Sequence, residues 1–347
     1  MQRPNYPSGK DLLSADAVSR FDLEDIIERA ERHLRDEEME KAGLPLSEAP
    51  PAPRRRPKVI ATLFDQRSTR TRLGFQTAAA RLGHQALDAY DTDRSRIGNT
   101  TGESIEDHIH TVELYSDLLV VRSHQEDMPY RVGRLSYLPV INAGNGADEH
   151  PTQALIDIFA IRQMRGVIEP LSIALSSDTR ARFAVSFVKM LRLCPPKRFT
   201  LCCLPGVPIN PPMREAMAVL ANLGSIVNVV HDIRQTLDHD VLSIQMQDMS
   251  KFAHATLGNE AVDKERESEP FTLTARKILD ARSDTLILNP LPRFSELDTS
   301  CDSLPNAGYF RQVQLSVPMR MAILERMLLG IPWTGQTDVF RSSAPGG

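Results

Sequence analysis

The chain has little cysteine, a single tryptophan and no long apolar run. Its four cysteines, Cys194, Cys202, Cys203 and Cys301, form neither a CxxC pair nor a regular framework. That excludes a disulfide scaffold and a thiolate metal knuckle, and reduced thiols are expected. No apolar stretch reaches the roughly 20 residues a spanning helix needs. The opening "MQRPNYPSGKDLLSADAV" lacks the apolar centre of a secretory signal. A cytoplasmic chain with no membrane partner is the expectation. Lysine is scarce as well, eight of 41 basic residues, a bias that GC-rich genomes produce. The formal net charge of -4 offers no general attraction to nucleic acid. The one dense basic cluster, "PRRRPK" from Pro53 to Lys58, reads as a solvated linker.

What is there fits a folded protein with a large core: 41% hydrophobic and 25% charged residues. A length of 347 residues suits two domains. An amphipathic stretch from Ala15 to Arg35, with Phe21, Leu23, Ile26 and Ile27 among charges, predicts a surface helix, and "GLPLSEAPPAPRRRP" breaks it. The β-like runs "KVIATLF", "DLLVVR" and "LPVINAG" then alternate with helical ones. After Gly166 and Pro170 a second series brings "LSIALSS", "RFTLCCL", "SIVNVVH", "DVLSIQM" and "DTLILNP". This rhythm predicts an α/β protein with two doubly wound parallel-sheet domains, 1–165 and 166–307. A C-terminal helix, 308–330, is expected to pack back onto the first. Ligands of such sheets bind beyond the carboxyl ends of strands, so polar residues just after each apolar run are the candidates.

The first such place is "LFDQRSTRTRLGFQTAAARLG", Leu63 to Gly83. Ser68 and Thr69 follow a strand and open a helix, where orphan N–H groups and the helix dipole favour an anion. Capping alone accounts for a hydroxyl there. It does not account for Arg70 and Arg72 in the first turn, where positive charge opposes the dipole unless an anion compensates. A guanidinium grips a phosphate at two points.

"STRTR", Ser68 to Arg72, resembles the carbamoyl phosphate loop of the aspartate and ornithine carbamoyltransferases. "NAGNGADEHPTQALIDIFAI", Asn142 to Ile161, is similar to the second signature of that family, and "NPLPR", Asn289 to Arg293, to a third. The resemblance runs from about Lys58 to Leu329. It implies that Ser68, Thr69, Arg70, Thr71 and Arg122 hold carbamoyl phosphate. His150 would donate to the carbamoyl oxygen, and Gln153 with the carbonyls of Leu291 and Pro292 would orient the carbamoyl amide. Arg70, His150 and Gln153 are the residues assigned to catalysis. Each has a plainer reading: His150 as a helix cap, Gln153 as helix surface, Arg122 as an ion-pair partner of Glu126 or Asp127, the prolines as strand terminators. The joint pattern is what favours the resemblance. It implies a homotrimer with shared sites, and no cofactor or metal.

The acceptor side departs from the family pattern. The loop "DRSRIGNTTGES", Asp93 to Ser104, has Thr101 where the aspartate enzymes have a lysine, leaving Arg94 or Arg96 as substitutes. Met246 and Asp248 stand where those enzymes have an arginine and a glutamine, while Arg182 matches the arginine for the acceptor's α-carboxylate. The ornithine signatures are absent, and "CCLP" reads as a buried strand end. Losing cations and gaining Asp248 leads to the expectation of a diaminopropionate-type or peptide-linked amine as acceptor. The product would be a ureido compound, as in a family branch serving peptide-antibiotic pathways. The alternatives are an aspartate carbamoyltransferase with a rebuilt loop, or a silent binding homologue.

Overall fold

The structure, a computed structural model, describes residues 9–44, 56–66, 68–89, 103–179, 181–245 and 269–335. The Pro-rich connector, the loop carrying Arg94, Arg96 and Thr101, and the segment with Met246 and Asp248 lie outside them. The fold divides into two compact units. One runs to Leu155 and resumes at Leu315; the other is Ile156–Gln314.

In the first unit, β1 (Val59–Phe64), β2 (Gln85–Asp88), β3 (Leu118–Ser123) and β4 (Val140–Asn145) form a parallel sheet in the order β2-β1-β3-β4. The helices are α1 (Arg20–Lys41), α2 (Thr69–Arg81), α3 (Ile105–Glu113) and α4 (Met128–Leu135), with α5 (Pro151–Arg165) starting here and crossing into the second unit. The strands are buried on both faces and successive side chains point to opposite ones, so Ala61, Leu63, Leu119, Val121 and Val140 share one face. They pack against Ile105, Ile109 and Val112 of α3 and Met128 and Val132 of α4. Leu12 bridges Ile141 and covers the outer edge of β4. Strand order reverses between β1 and β3, which makes their carboxyl ends the switch point of the sheet.

The second unit has β5 (Ser172–Ser176), α6 (Arg182–Leu191), β6 (Arg198–Cys202), α7 (Pro211–Asn222), β7 (Ile226–Val230), β8 (Val241–Ile244), α8 (Ala275–Asp280) and β9 (Leu286–Leu288). Its sheet is parallel in the order β7-β6-β5-β8-β9, with the switch between β5 and β8. Both sheets are thus doubly wound. Cys202 and Cys203 are buried at the end of β6, where burial pushes the Cys202 thiol up to about 12.

The last helix, α9 (Tyr309–Leu328), begins in the second unit and ends in the first. In the first unit it docks on α1. Arg326, 1% exposed, reaches Asp22 and Asp25 and lies 4.7 Å over the Trp333 ring, while Glu325 meets Arg29, Arg32 and His33. Breaking a buried pair leaves a charge without compensation, so Arg326→Met is expected to cost this unit about 3–5 kcal/mol, read as a lowered unfolding midpoint in urea.

Candidate active site

The exit of β1 is tied to β3 by Asp65. Its N–H donates to the Arg122 carbonyl at 3.0 Å, and its carboxylate accepts from Ser123 Oγ at 2.7 Å and His124 N–H at 2.8 Å. Ser68 follows as the N-cap of α2 in extended backbone (φ -153°), yet its hydroxyl makes no capping bond, and the first turn carries no acid. The opening N–H groups of α2 have no acceptor within the helix. Around them Thr69 is exposed, Ser68 and Arg70 half-buried, and Thr71 buried.

The two arginines of this turn have different fates. Arg72 Nε lies 3.9 Å from Asp88 at the end of β2, a carboxylate that also accepts from Gln76 and Thr62. Arg72 is therefore an ordinary half-exposed ion pair. Arg70 has no acidic partner among the described residues, and burial alone lowers its pKa. A half-buried cation beside free helix N–H groups is complementary to an anion.

Arg122 sits where the β3–β4 register shifts, between the pairs Val121↔Asn142 and Ser123↔Asn145. Such irregularities turn side chains toward sites. Its Nη1 donates to the Ala143 carbonyl at 3.0 Å, to Thr71 Oγ1 at 3.5 Å and to His150 Nε2 at 3.4 Å. The sequence pattern is thereby joined in space: Thr71 from the first motif and His150 from the second meet through Arg122. The His150 carbonyl accepts from the N–H groups of Gln153 and Ala154, so its backbone does cap α5 while its ring is turned elsewhere. The residue is 5% exposed, with ring Nδ1 3.3 Å from Thr152 Oγ1. Gln153 is half-buried in the first turn of α5.

The loop before His150 is held by residues whose roles sequence reasoning missed. Asn142 donates to the Leu13 carbonyl and to Asn145 Oδ1, and its own Oδ1 accepts from Gly144 N–H. Asn145 donates to Asp148 at 2.9 Å, as does the Tyr130 hydroxyl, whose pKa burial and Asp148 push up. Gly146 has φ +44°, and a Cβ there would stand 2.5 Å from Glu126 Cγ and 2.9 Å from the His124 carbonyl. Only glycine fits.

In the second unit, Arg182 starts α6 after β5. Gln245, directly after β8, donates to Asp157 at 2.9 Å, and Asp157 also accepts from Gln312 at 2.6 Å. Gln312 in turn accepts from the N–H of Asn289 at 3.0 Å, and Asn289 Oδ1 accepts from Leu291 N–H at 2.7 Å. This buried chain of amides fixes the "NPLP" turn. Leu291 is half-buried at φ +55°, a left-handed conformation costing on the order of 1–3 kcal/mol for such a residue, and Pro292 is exposed. Among the described residues no group of three or more His, Cys, Asp and Glu side chains is placed to hold a metal ion. None of the described helices is long and apolar enough to cross a membrane.

Two parallel α/β units, with an anion-complementary helix mouth at the switch point of the first, define the class. The carbamoyl-P binding domain model of the aspartate/ornithine carbamoyltransferases matches residues 10–163, and the Asp/Orn binding domain model matches 169–327. The chain belongs to that family and is a carbamoyltransferase. It is 30% identical to the aspartate carbamoyltransferase catalytic subunit of Korarchaeum cryptofilum, over 92% of this chain and 98% of that one. It is 32% identical to the Hyperthermus butylicus subunit, over 91% and 95%. Its fold is similar to aspartate transcarbamoylase of Trypanosoma cruzi in complex with carbamoyl phosphate (TM-score 0.78, 30% identity, 91% of this chain and 95% of that chain). The same enzyme with carbamoyl phosphate and aspartate gives a TM-score of 0.77 at the same identity and coverage.

Proposed function

We propose that this carbamoyltransferase takes the carbamoyl group from carbamoyl phosphate held at the mouth of α2 and passes it to the amine of aspartate. What carries the acceptor is the similarity to aspartate carbamoyltransferases across more than nine-tenths of the chain. The donor side is supported by the geometry of Arg70, Arg122, Thr71 and His150. Carbamoyl phosphate is already activated, so the protein has to orient it, exclude water and stabilise charge as a neutral amine attacks the carbonyl carbon. The C–N bond forms, the C–O bond to phosphate breaks, and the departing phosphate takes the amine proton.

Arg122 donates to His150 Nε2, since a guanidinium has only N–H groups to offer. That nitrogen therefore accepts. A bound phosphate would draw the Arg122 donors to itself. Thr152 can then donate to Nδ1, which lets Nε2 carry a proton toward the carbamoyl oxygen. Gln153 and the Leu291 and Pro292 carbonyls orient the amide in this reading.

A second acceptor is favoured by one specific observation. Thr101, Met246 and Asp248 stand where the aspartate branch has two cations and a glutamine. Burying a second acceptor carboxylate beside Asp248 without a compensating cation costs several kcal/mol by the usual scale for unpaired charges. A 2,3-diaminopropionate-type or peptide-linked amine would find a partner there. Phosphate release from carbamoyl phosphate, measured across aspartate, ornithine and these amines, decides. Aspartate is expected to have the highest kcat/KM, carried by Arg94 or Arg96 in place of the lysine. A diaminopropionate-type preference that Asp248→Asn abolishes would replace aspartate with the second acceptor.

A further inference from the structure

Arg320 of α9 lies in the first unit, is 2% exposed, and has no carboxylate partner among the described residues. One of its nitrogens, Nη1, donates to the Ser316 carbonyl at 3.3 Å, and Nε has no hydrogen-bond partner. The guanidinium lies 5.4 Å over the Phe75 ring. A Cβ added to Gly74 would stand 2.5 Å from Nη1, so the head group rests directly on the second turn of α2. A fully buried cation without a counter-ion is among the costliest arrangements a fold can hold. Burial, with repulsion from Arg70 added, lowers its pKa to about 10. Two cations, Arg70 and Arg320, thus lie along the first two turns of α2, and neither has an acidic partner among the described residues.

We propose that Arg320 is a positioning residue for the substrate phosphate: a buried charge that does not touch the anion but raises the positive potential at the α2 mouth where Arg70 receives it. The inference rests on the reading of that mouth as the phosphate site. In low-dielectric surroundings one charge about 10 Å away still contributes on the order of a tenfold change in anion affinity. No carboxylate among the described residues pairs with Arg320, so its field is not neutralised by any of them. Gly74 is part of the same device, because any side chain there would displace the guanidinium.

The test measures inorganic phosphate and carbamoyl phosphate binding by calorimetry, and thermal unfolding without ligand, for the full chain and for Arg320→Met, Gly74→Ala and Arg70→Ala. Arg320→Met keeps the volume and removes the charge. It should weaken binding of both ligands about tenfold while the unfolding temperature without ligand stays level or rises. Gly74→Ala, which keeps the charge and displaces it, should weaken binding at least threefold. Unchanged phosphate affinity in whichever of these two variants folds overturns the proposal. So does an Arg320→Met chain that melts earlier yet binds as wild type, since that is the signature of packing alone. If Arg70→Ala leaves phosphate binding intact, the site reading itself has failed, and this outcome is separable from the others.

Discussion

Replacing His150 with alanine is expected to lower turnover about 100- to 1000-fold, the usual loss when one donor to a developing oxyanion is removed. Carbamoyl phosphate affinity should change far less. The backbone role survives the substitution, because the His150 carbonyl caps α5 through the N–H groups of Gln153 and Ala154. What disappears is the ring, which is buried between Arg122 and Thr152 and which, on the proposed mechanism, donates to the carbamoyl oxygen as charge develops there. Steady-state kinetics at saturating acceptor separate the two effects: a collapsed kcat with a near-normal carbamoyl phosphate KM is the expected pattern. Lost affinity with normal turnover at saturation would make His150 a ground-state contact.

Arg70→Ala is expected to weaken carbamoyl phosphate binding by about 2–5 kcal/mol, roughly 30- to 4000-fold in Kd, as when one partner of a desolvated charge pair is truncated. Folding should be little affected, and its ligand-free stability should hold or improve. The reason lies in what Arg70 lacks. Arg72, two residues on, has Asp88, whereas burial disfavours the Arg70 charge with no described acid to offset it. Removing Arg70 therefore breaks no ion pair among the described residues. Calorimetry showing unaltered affinity would reject Arg70 as the clamp, and a large fall in stability would make it a structural residue.

Much of the fold was legible because buried parallel strands announce themselves as β-branched runs. "KVIATLF", "DLLVVR" and "SIVNVVH" all became strands, the last one despite lying at an exposed edge. β2 was missed because it is four residues long and all of them are exposed, with Leu87 its one large apolar side chain. α4 was missed because it is short and has a proline at its start. The site was legible as motifs but not as partnerships. Arg70 and Arg72 look alike in "STRTR", and only the fold brings Asp88 to one of them. Arg320 stands in the run "VPMRMAILERMLLG" with Glu325 and Arg326, and charges in such a run read as the solvent face of a helix; tertiary packing alone reveals that Arg320 is buried. Asp65, Asn142 and Asp157 act through residues distant in sequence, which no local pattern encodes. The expected acceptor drew on five positions outside the described residues and on Arg182, and the similarity to aspartate carbamoyltransferases now favours the other reading.

The return of α9 to α1 sets an order of assembly during synthesis. The second unit has all its residues once the ribosome has passed Gln314, whereas the first still waits for Leu315 to Trp333. Until then Asp22 and Asp25 lack Arg326, and the α2 mouth lacks the charge of Arg320 behind it. At about 5–20 residues per second the first unit spends on the order of ten seconds as an unfinished N-terminal piece while the second is made. The second unit is thus complete in sequence first, and the buried charge of Arg320 reaches the first unit only with the final helix.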